Sequence, residues 1–372
     1  MTETQEETQH EHGPGNVDEP GVQRWVRELR MHVSTTLNDF LRDRSREVIA
    51  TAPETAGFVE RVIEFLDGGK YLRPTFAYLG WLSRAEPSAP AVRAASSLEL
   101  LHAFALIQDD VMDGSSQRRG RPAMHLSLAT ERRANGLMDD ADRFGESAAT
   151  LLGDLCMMWS EQLLRTSGLP HEALDRAWSY YDALRQELAI GQYLDLHQAG
   201  RNQRSYAEVM RVARLKSGSY TVTGPLVLGA RLAGADGAVQ HALTRYGGAI
   251  GTAFQLRDDV LGLYGDPAVT GKPVSDDLRD RKTTTLIALA SELADTAQHR
   301  ELRELLDRAS TEPDTAERVR QLISETGSLD ELETRIATLV EEGTRAIDIP
   351  AIPGHIRTRL LRMAHATTNR HQ

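Results

Sequence analysis

At 372 residues the chain can bury a large core, and its 40% hydrophobic and 26% charged residues are ordinary for a globular protein. A net charge of −11 with no basic stripe argues against a nucleic-acid partner, so any anionic substrate must be held by a local cluster of cations or metal ions. The single cysteine, Cys156, excludes an intrachain disulfide framework and fits a reducing compartment.

The chain opens with MTETQEETQHEHGPGN, which is acidic, polar and without the apolar stretch of a secretory signal. Residues 1–20 are therefore expected to be a disordered acidic tail, since they have almost nothing to bury. No run of about 18 apolar residues is present to span a bilayer, and a cytoplasmic location is expected. From Val22 onward apolar residues recur at helical spacing and strand-like alternation is lacking. Residues 21–372 thus read as one all-α domain, a bundle of ten or more helices with no internal repeat.

In chain order, a helix from Val59 to Leu66 is punctuated by Gly68 and Gly69, which open the turn GGKYLRP. Ser88 and Pro90 mark the start of a second helix, because proline near the first helical position loses no needed hydrogen bond. It runs through Leu101 and Ala105 to Gly114. Residues 115–145 read as a surface connection or lid with at most one short helix. Helical periodicity resumes over 147–166, 171–199 and 204–234, and Cys156 falls in the apolar run LLGDLCMMW, where it reads as core. The helix after Gly237 carries Gly247, Gly248 and Gly251, each costly in a helix unless it permits close contact with a neighbour. That helix ends at Gly265, Asp266 and Pro267, and residues 276–370 are helical in short pieces, with Ser328 and Glu331 spaced as a capping box.

Two acidic motifs stand out. LIQDDVMDG contains Asp109, Asp110 and Asp113, and FQLRDDVLGLYGD contains Asp258 and Asp259, 149 residues after the first doublet. Asp109 and Asp113 lie one helical turn apart on the same face, with Cβ atoms about 5–6 Å from each other. Carboxylates that close repel unless a cation neutralises them, and hard divalent ions such as Mg²⁺ take carboxylate oxygens while leaving positions for water and phosphate. A single such pair also fits a solvated helix end; a second doublet in the same setting favours a metal site. Cations cluster near the motif boundaries: Lys70 and Arg73 in the glycine turn, Arg118 and Arg119 after the first motif, and Lys216 beside Ser217 in KSGSYT. Lys272 and Lys282 follow the second motif. Taken singly each fits a solvated surface charge; together they suffice for two diphosphate sites, one held through metal and one directly.

The ordered motifs GGKYLRP, LIQDDVMDGSSQRRGRP, GQYLDL, KSGSYT and FQLRDDVLGLYGDPAVTGKPVSDDLRDRK resemble those of all-trans polyprenyl diphosphate synthases from about residue 25 to the end. The resemblance is nearest to geranylgeranyl diphosphate synthases. It implies that Asp109, Asp110, Asp113, Asp258 and Asp259 bind two or three Mg²⁺ ions gripping an allylic diphosphate. Arg118, Lys216, Ser217, Gln192, Gln255, Lys272 and Lys282 match positions around that group, with Asp195 near it. Lys70, Arg73, His102 and Arg119 match positions that hold isopentenyl diphosphate. The implied reaction joins the two substrates into a longer all-trans prenyl diphosphate, and the implied assembly is a homodimer. Chain length is expected to depend on Leu101, Phe104 and Ala105, below the first motif, with a twenty-carbon product favoured.

The sequence departs from the pattern at Gly262, where many relatives carry a third aspartate, at Gln108, where histidine is frequent, and at Ser217, where threonine is. Two other readings compete. A class I terpene cyclase is suggested by the spacing of Asp258, Gly262 and Asp266, but needs no second diphosphate site. A non-catalytic synthase subunit is expected to lose its metal ligands, and both doublets are intact here.

Overall fold

The first long helix, α1 (Glu19–Thr51), buries Leu29, Val33, Leu37, Phe40 and Leu41, a stripe at three- and four-residue steps that lays one face on the core. The computed structural model describes residues 19–137, 140–198, 204–265, 278, 283–308 and 315–369. The expected tail lies outside them, apart from Glu19 and Pro20, which already belong to α1.

After α2 (Ala56–Leu66) and α3 (Leu72–Leu82) comes α4 (Ala89–Asp113), buried on most of its circumference and hence central. Both ends of α4 are set by the residues read from sequence. The Ser88 hydroxyl accepts the Ala91 N–H and Pro90 sits in the first turn. Gly114 takes a left-handed conformation, φ 63°, and the Ser115 N–H turns back to the Asp110 carbonyl at 2.9 Å. This stop fixes where the acidic motif ends.

Residues 115–137 and 140–145 hold more secondary structure than expected. Strands β1 (Gln117–Arg118) and β2 (Arg121–Pro122) form a minimal antiparallel hairpin. Arg119 and Gly120 make its turn with positive φ at both positions, the geometry that matches strand twist. Then α5 (Met124–Ala134) buries Met124, His125, Leu128 and Ala129 against α6 (Ala141–Arg165). Gly145 is inside α6, not at the end of a lid: a Cβ there would lie 2.2 Å from the His125 carbonyl. The polarity of the segment concealed this packing.

Next come α7 (His171–Gln198) and α8 (Tyr206–Ala213), the latter started by a capping box of Ser205 and Glu208. Residues Arg214–Thr223 then form a π-helical stretch, with α9 (Gly224–Leu232) following directly. The stretch is pressed between two helices at glycines: a Cβ on Gly191 of α7 would meet the Lys216 backbone N at 2.6 Å. One on Gly251 of α10 (Gly237–Tyr264) would meet the Gly218 carbonyl at 2.5 Å. The expected role of small residues in α10 therefore holds at Gly251, and at Gly247 against Thr223, but not at Gly248, which faces open space.

Two apolar cores share α10. Its first half, with Leu243, Tyr246 and Ile250, joins the core around α1, α3, α4 and α6; its second half, with Leu256, Val260 and Leu263, joins another. That second core is built with α11 (Thr285–Leu293), α12 (Thr296–Arg308), α13 (Thr315–Glu325) and α14 (Ser328–Ala346). The last helix, α15 (Gly354–Thr368), is tied to α10 where Arg257 donates to the Thr368 carbonyl at 2.7 Å and pairs with Glu333 of α14. The expected capping box at Ser328 does not form. Gly327 caps α14 in a left-handed conformation, and the buried Ser328 hydroxyl donates instead to the Ile323 carbonyl. The all-α expectation holds, with the two-residue hairpin strands as its exception among the described residues.

Candidate active site

Helices α4, α7 and α10 bring the C-terminal parts that carry their polar motifs to one cavity of about 650 Å³. The start of α3, the hairpin and the π-helical stretch supply its other walls. Asp109 and Asp258 both line it, so the two acidic motifs face a common space.

The neighbouring aspartates have different partners. Asp110 is wholly buried and gripped by both Nε and Nη2 of Arg118, while Asp109 accepts from Lys216 Nζ at 2.7 Å. The same ammonium reaches Asp195 Oδ2 at 2.8 Å. On α10, Asp259 accepts Gln255 Nε2 at 2.9 Å, the Thr285 N–H at 2.8 Å and the Thr285 hydroxyl at 2.6 Å. Asp258 faces the cavity; Asp259 braces the start of α11. Asp110 and Asp259, read from sequence as ligands, are thus turned to protein partners, because adjacent helix residues point about 100° apart.

A second basic group lies across the cavity. Gly68, φ 71°, and Tyr71, φ 48°, both take left-handed backbone conformations, which delivers Lys70 and Arg73 to the wall. Arg73 stacks 4.1 Å over the Tyr220 ring and donates to the Thr221 hydroxyl at 2.8 Å. A π-helix closes i→i+5 hydrogen bonds, so residues four and five apart share a side. Lys216 and Ser217 with Tyr220 and Thr221 accordingly address the same region.

His102 completes this end, hydrogen-bonded through Nδ1 to the Tyr220 hydroxyl. Desolvation, followed by the nearby Arg73, Arg119 and Arg118, holds its pKa well below the usual imidazole value. The Tyr220 phenol is pushed up by burial and stays protonated. With the phenol donating to the neutral ring at Nδ1, the histidine proton sits on Nε2 and is free to face a ligand.

No three His, Cys, Asp or Glu side chains converge into a ready-made metal cage among the described residues. The donor set nevertheless suits a hard divalent cation. Carboxylates approach from two helices, and Mg²⁺ characteristically takes one or two of them and fills its shell with water and phosphate. Lys216 already places one positive charge between Asp109 and Asp195.

A family model described as polyprenyl synthetase matches residues 58–324. This chain belongs to that family. A geranylgeranyl pyrophosphate synthase from Corynebacterium glutamicum, solved with isoprenyl diphosphate and magnesium, superposes with a TM-score of 0.87 at 38% identity, over 92% of this chain and 99% of that one. A geranylfarnesyl diphosphate synthase from Aeropyrum pernix is 32% identical over 77% of this chain and 85% of its own length. A geranylgeranyl diphosphate synthase from Mycobacterium tuberculosis is 34% identical over 60% of this chain and 58% of its own. Membership makes the protein a trans-prenyltransferase with the all-α isoprenoid-synthase fold.

Of the residues read from sequence, Lys70, Arg73, His102, Ala105, Asp109, Arg118, Arg119, Gln192, Lys216, Ser217, Gln255 and Asp258 line the polyprenyl synthetase cavity. Asp113 lies one turn beyond Asp109 on α4, within electrostatic reach of Arg118. Leu101 is sealed in the core and Phe104 packs against it, neither on the cavity wall. Lys272, Lys282 and Asp266 lie outside the described residues. Sequence reading missed Glu99, Tyr220, Thr221 and Thr285. Tyr220 and Thr221 sit inside the KSGSYT motif already singled out, four and five residues after Lys216, and the π-helical turn places both on its side.

Proposed function

We propose that the protein condenses isopentenyl diphosphate with an allylic diphosphate in an Mg²⁺-dependent reaction whose main product is geranylgeranyl diphosphate. The observation that carries this reading is one cavity with an acidic rim and two separate sets of cations. A chain-extending enzyme must hold two diphosphates at once.

Asp109 and Asp113 on α4 and Asp258 on α10 are the residues that would hold magnesium, which supplies Lewis-acid neutralisation of a departing diphosphate. Arg118, braced by Asp110, and Lys216 add fixed positive charge at the same end of the cavity. Gln192, Ser217 and Gln255 offer neutral hydrogen bonds along that wall. Lys70, Arg73, Arg119 and the Nε2–H of His102 hold isopentenyl diphosphate at the other. Its double bond then attacks the allylic carbon as diphosphate leaves, and loss of a proton completes the five-carbon extension. Ala105, Leu106, Leu188 and Phe254 supply the apolar wall that keeps water from the electron-poor carbon. Departed diphosphate is the proposed proton acceptor, since the nearest imidazole, His102, serves as a donor.

The twenty-carbon product is supported by the small side chain of Ala105, one turn deeper than Asp109. We further propose a homodimer. Leu151 and Met158 on α6 are 61% and 56% exposed and seven residues apart, an apolar stripe suited to a second copy. No helix among the described residues is long and apolar enough to cross a membrane. The lone buried thiol of Cys156 supports a cytoplasmic setting.

The deciding experiment incubates the protein with isopentenyl diphosphate and each of dimethylallyl, geranyl and farnesyl diphosphate, with and without Mg²⁺, and reads products by mass spectrometry. Metal-dependent geranylgeranyl diphosphate is expected. Hydrocarbons from one substrate would indicate a cyclase, and no turnover a tuning subunit.

A further inference from the structure

Glu99 lies on α4, lines the cavity and is 2% exposed, yet its Oε2 has no hydrogen-bond partner. It stands among the groups assigned above to isopentenyl diphosphate. Lys70, Tyr71, Arg73, His102, Arg119 and Tyr220 are the titratable or charged side chains that share this end of the cavity with it. The two arginines that influence it electrostatically donate elsewhere: Arg73 to Thr221, Arg119 to the Phe65 carbonyl at 3.4 Å. Arg73 Nε is itself buried without a partner. An acid placed beside arginines but not ion-paired to them needs another explanation.

A buried polar atom without a protein partner is costly, and on a cavity wall a ligand group can supply the missing partner. An ionised carboxylate there would repel a diphosphate, whereas a protonated carboxyl would donate to it. Diphosphate oxygens are acceptors and need donors. Burial, opposed by Arg73 and Arg119, raises the Glu99 pKa in the protein alone, and an arriving diphosphate raises it further by charge repulsion. Gly69 keeps the approach narrow: a Cβ there would lie 2.9 Å from the Tyr71 ring and 3.2 Å from Glu99 Oε1.

We propose that Glu99 is a further ligand of the isopentenyl diphosphate, donating a hydrogen bond from its protonated carboxyl to a diphosphate oxygen. The inference rests on the two-diphosphate reading of the cavity. Binding at that subsite then depends on keeping a proton on Glu99.

Turnover of isopentenyl with geranyl diphosphate by the wild-type protein is measured first and tests the reading itself; no turnover overturns both. Given turnover, Glu99→Ala is expected to raise the KM for isopentenyl diphosphate roughly tenfold, as for loss of a hydrogen bond to a charged group. The KM for geranyl diphosphate should move less than about twofold. Glu99→Gln, which keeps a neutral donor, should recover most of the loss. It should also remove a rise in wild-type isopentenyl KM at high pH, while titration of the ligand and of His102 is common to both proteins. Three results would overturn the proposal: Gln no better than Ala, both substrates affected equally, or parallel pH profiles. Should Glu99→Ala fail to fold, the pH profile of Glu99→Gln against wild type decides alone.

Discussion

The Lys216 ammonium stands 2.7 Å from Asp109 Oδ1, joining positions 107 residues apart and fastening the π-helical stretch to α4. Burial opposes its charge, but Asp109 and Asp195 outweigh that and raise its pKa above the ordinary lysine value of 10.5. The stabilising effect is therefore complete below pH 10.5 and is lost only as pH rises through the higher folded value. Lys216→Ala removes a fixed charge from the departing diphosphate and is expected to lower kcat by about 10²–10³-fold. Steady-state rates at saturating Mg²⁺ check this, and a loss under fivefold would remove Lys216 from the proposed machinery.

Adjacent aspartates should fail in different ways. Asp110 is fully buried on Arg118, whereas Asp109 lines the cavity. Removing one member of a buried pair costs about 3–5 kcal/mol, reduced here to about 2–3 because Arg118 keeps Asp109 within reach. Asp110→Asn should thus lower the melting temperature by several degrees along with activity. Asp109→Asn should lower the melting temperature less, because Lys216 keeps Asp195 as a partner, and raise the Mg²⁺ concentration needed for half-maximal rate. Equal thermal shifts in the two variants would contradict this division.

His102 gives a stability signature in acid. Its pKa is lowered on folding from 6.5, first by desolvation and then by Arg73, Arg119 and Arg118. The unfolded chain therefore binds a proton that the folded protein refuses, and stability falls as pH drops below about 6.5 toward the folded value. In His102→Gln the loss of stability between pH 6.5 and 5 should be measurably shallower by chemical denaturation. An unchanged slope would show that the imidazole is not held neutral.

The α6 stripe makes a separate prediction. Leu151→Asp with Met158→Asp places two charges where a second copy would bury them, at a cost of several kcal/mol of association. Light scattering is expected to give a dimer for wild type and a monomer for the double variant, with an unchanged far-UV spectrum. A monomeric wild type would end the dimer proposal.

Much of this was legible because periodicity and turn chemistry are local. The Ser88 cap, the Gly114 stop and the helical run through Asp109 follow from neighbours in sequence and were read correctly. Features set by distant contacts were not. Gly145 reads as a loop residue from sequence, yet it lies in α6 against the His125 carbonyl; Ser328, by contrast, is turned from its cap by a nearby group, the Ile323 carbonyl five residues back. In the site, the motifs identified which residues gather but not their division of labour. Whether Asp110 or Asp109 faces the cavity depends on where Arg118 lands after a hairpin, and the π geometry of 214–223 has no counterpart in composition.

Chain length is where residues read together from sequence separate in space. Ala105 lies on the cavity wall one turn before Asp109, about 6 Å deeper along α4. Phe104 is rotated about 100° from it and packs against the core; Leu101 is sealed there. A growing prenyl chain thus meets Ala105 first. Ala105→Phe adds a ring to the wall and should shorten the main product by one five-carbon unit, with total turnover kept within about tenfold. Phe104→Ala opens space on the other side of the helix and should leave chain length unchanged while lowering stability by about 3 kcal/mol or less, given its partial burial. Mass spectrometry of the product mixtures separates the two. Longer products from Phe104→Ala, or the same product from Ala105→Phe, would move control of length away from the wall that Ala105 forms.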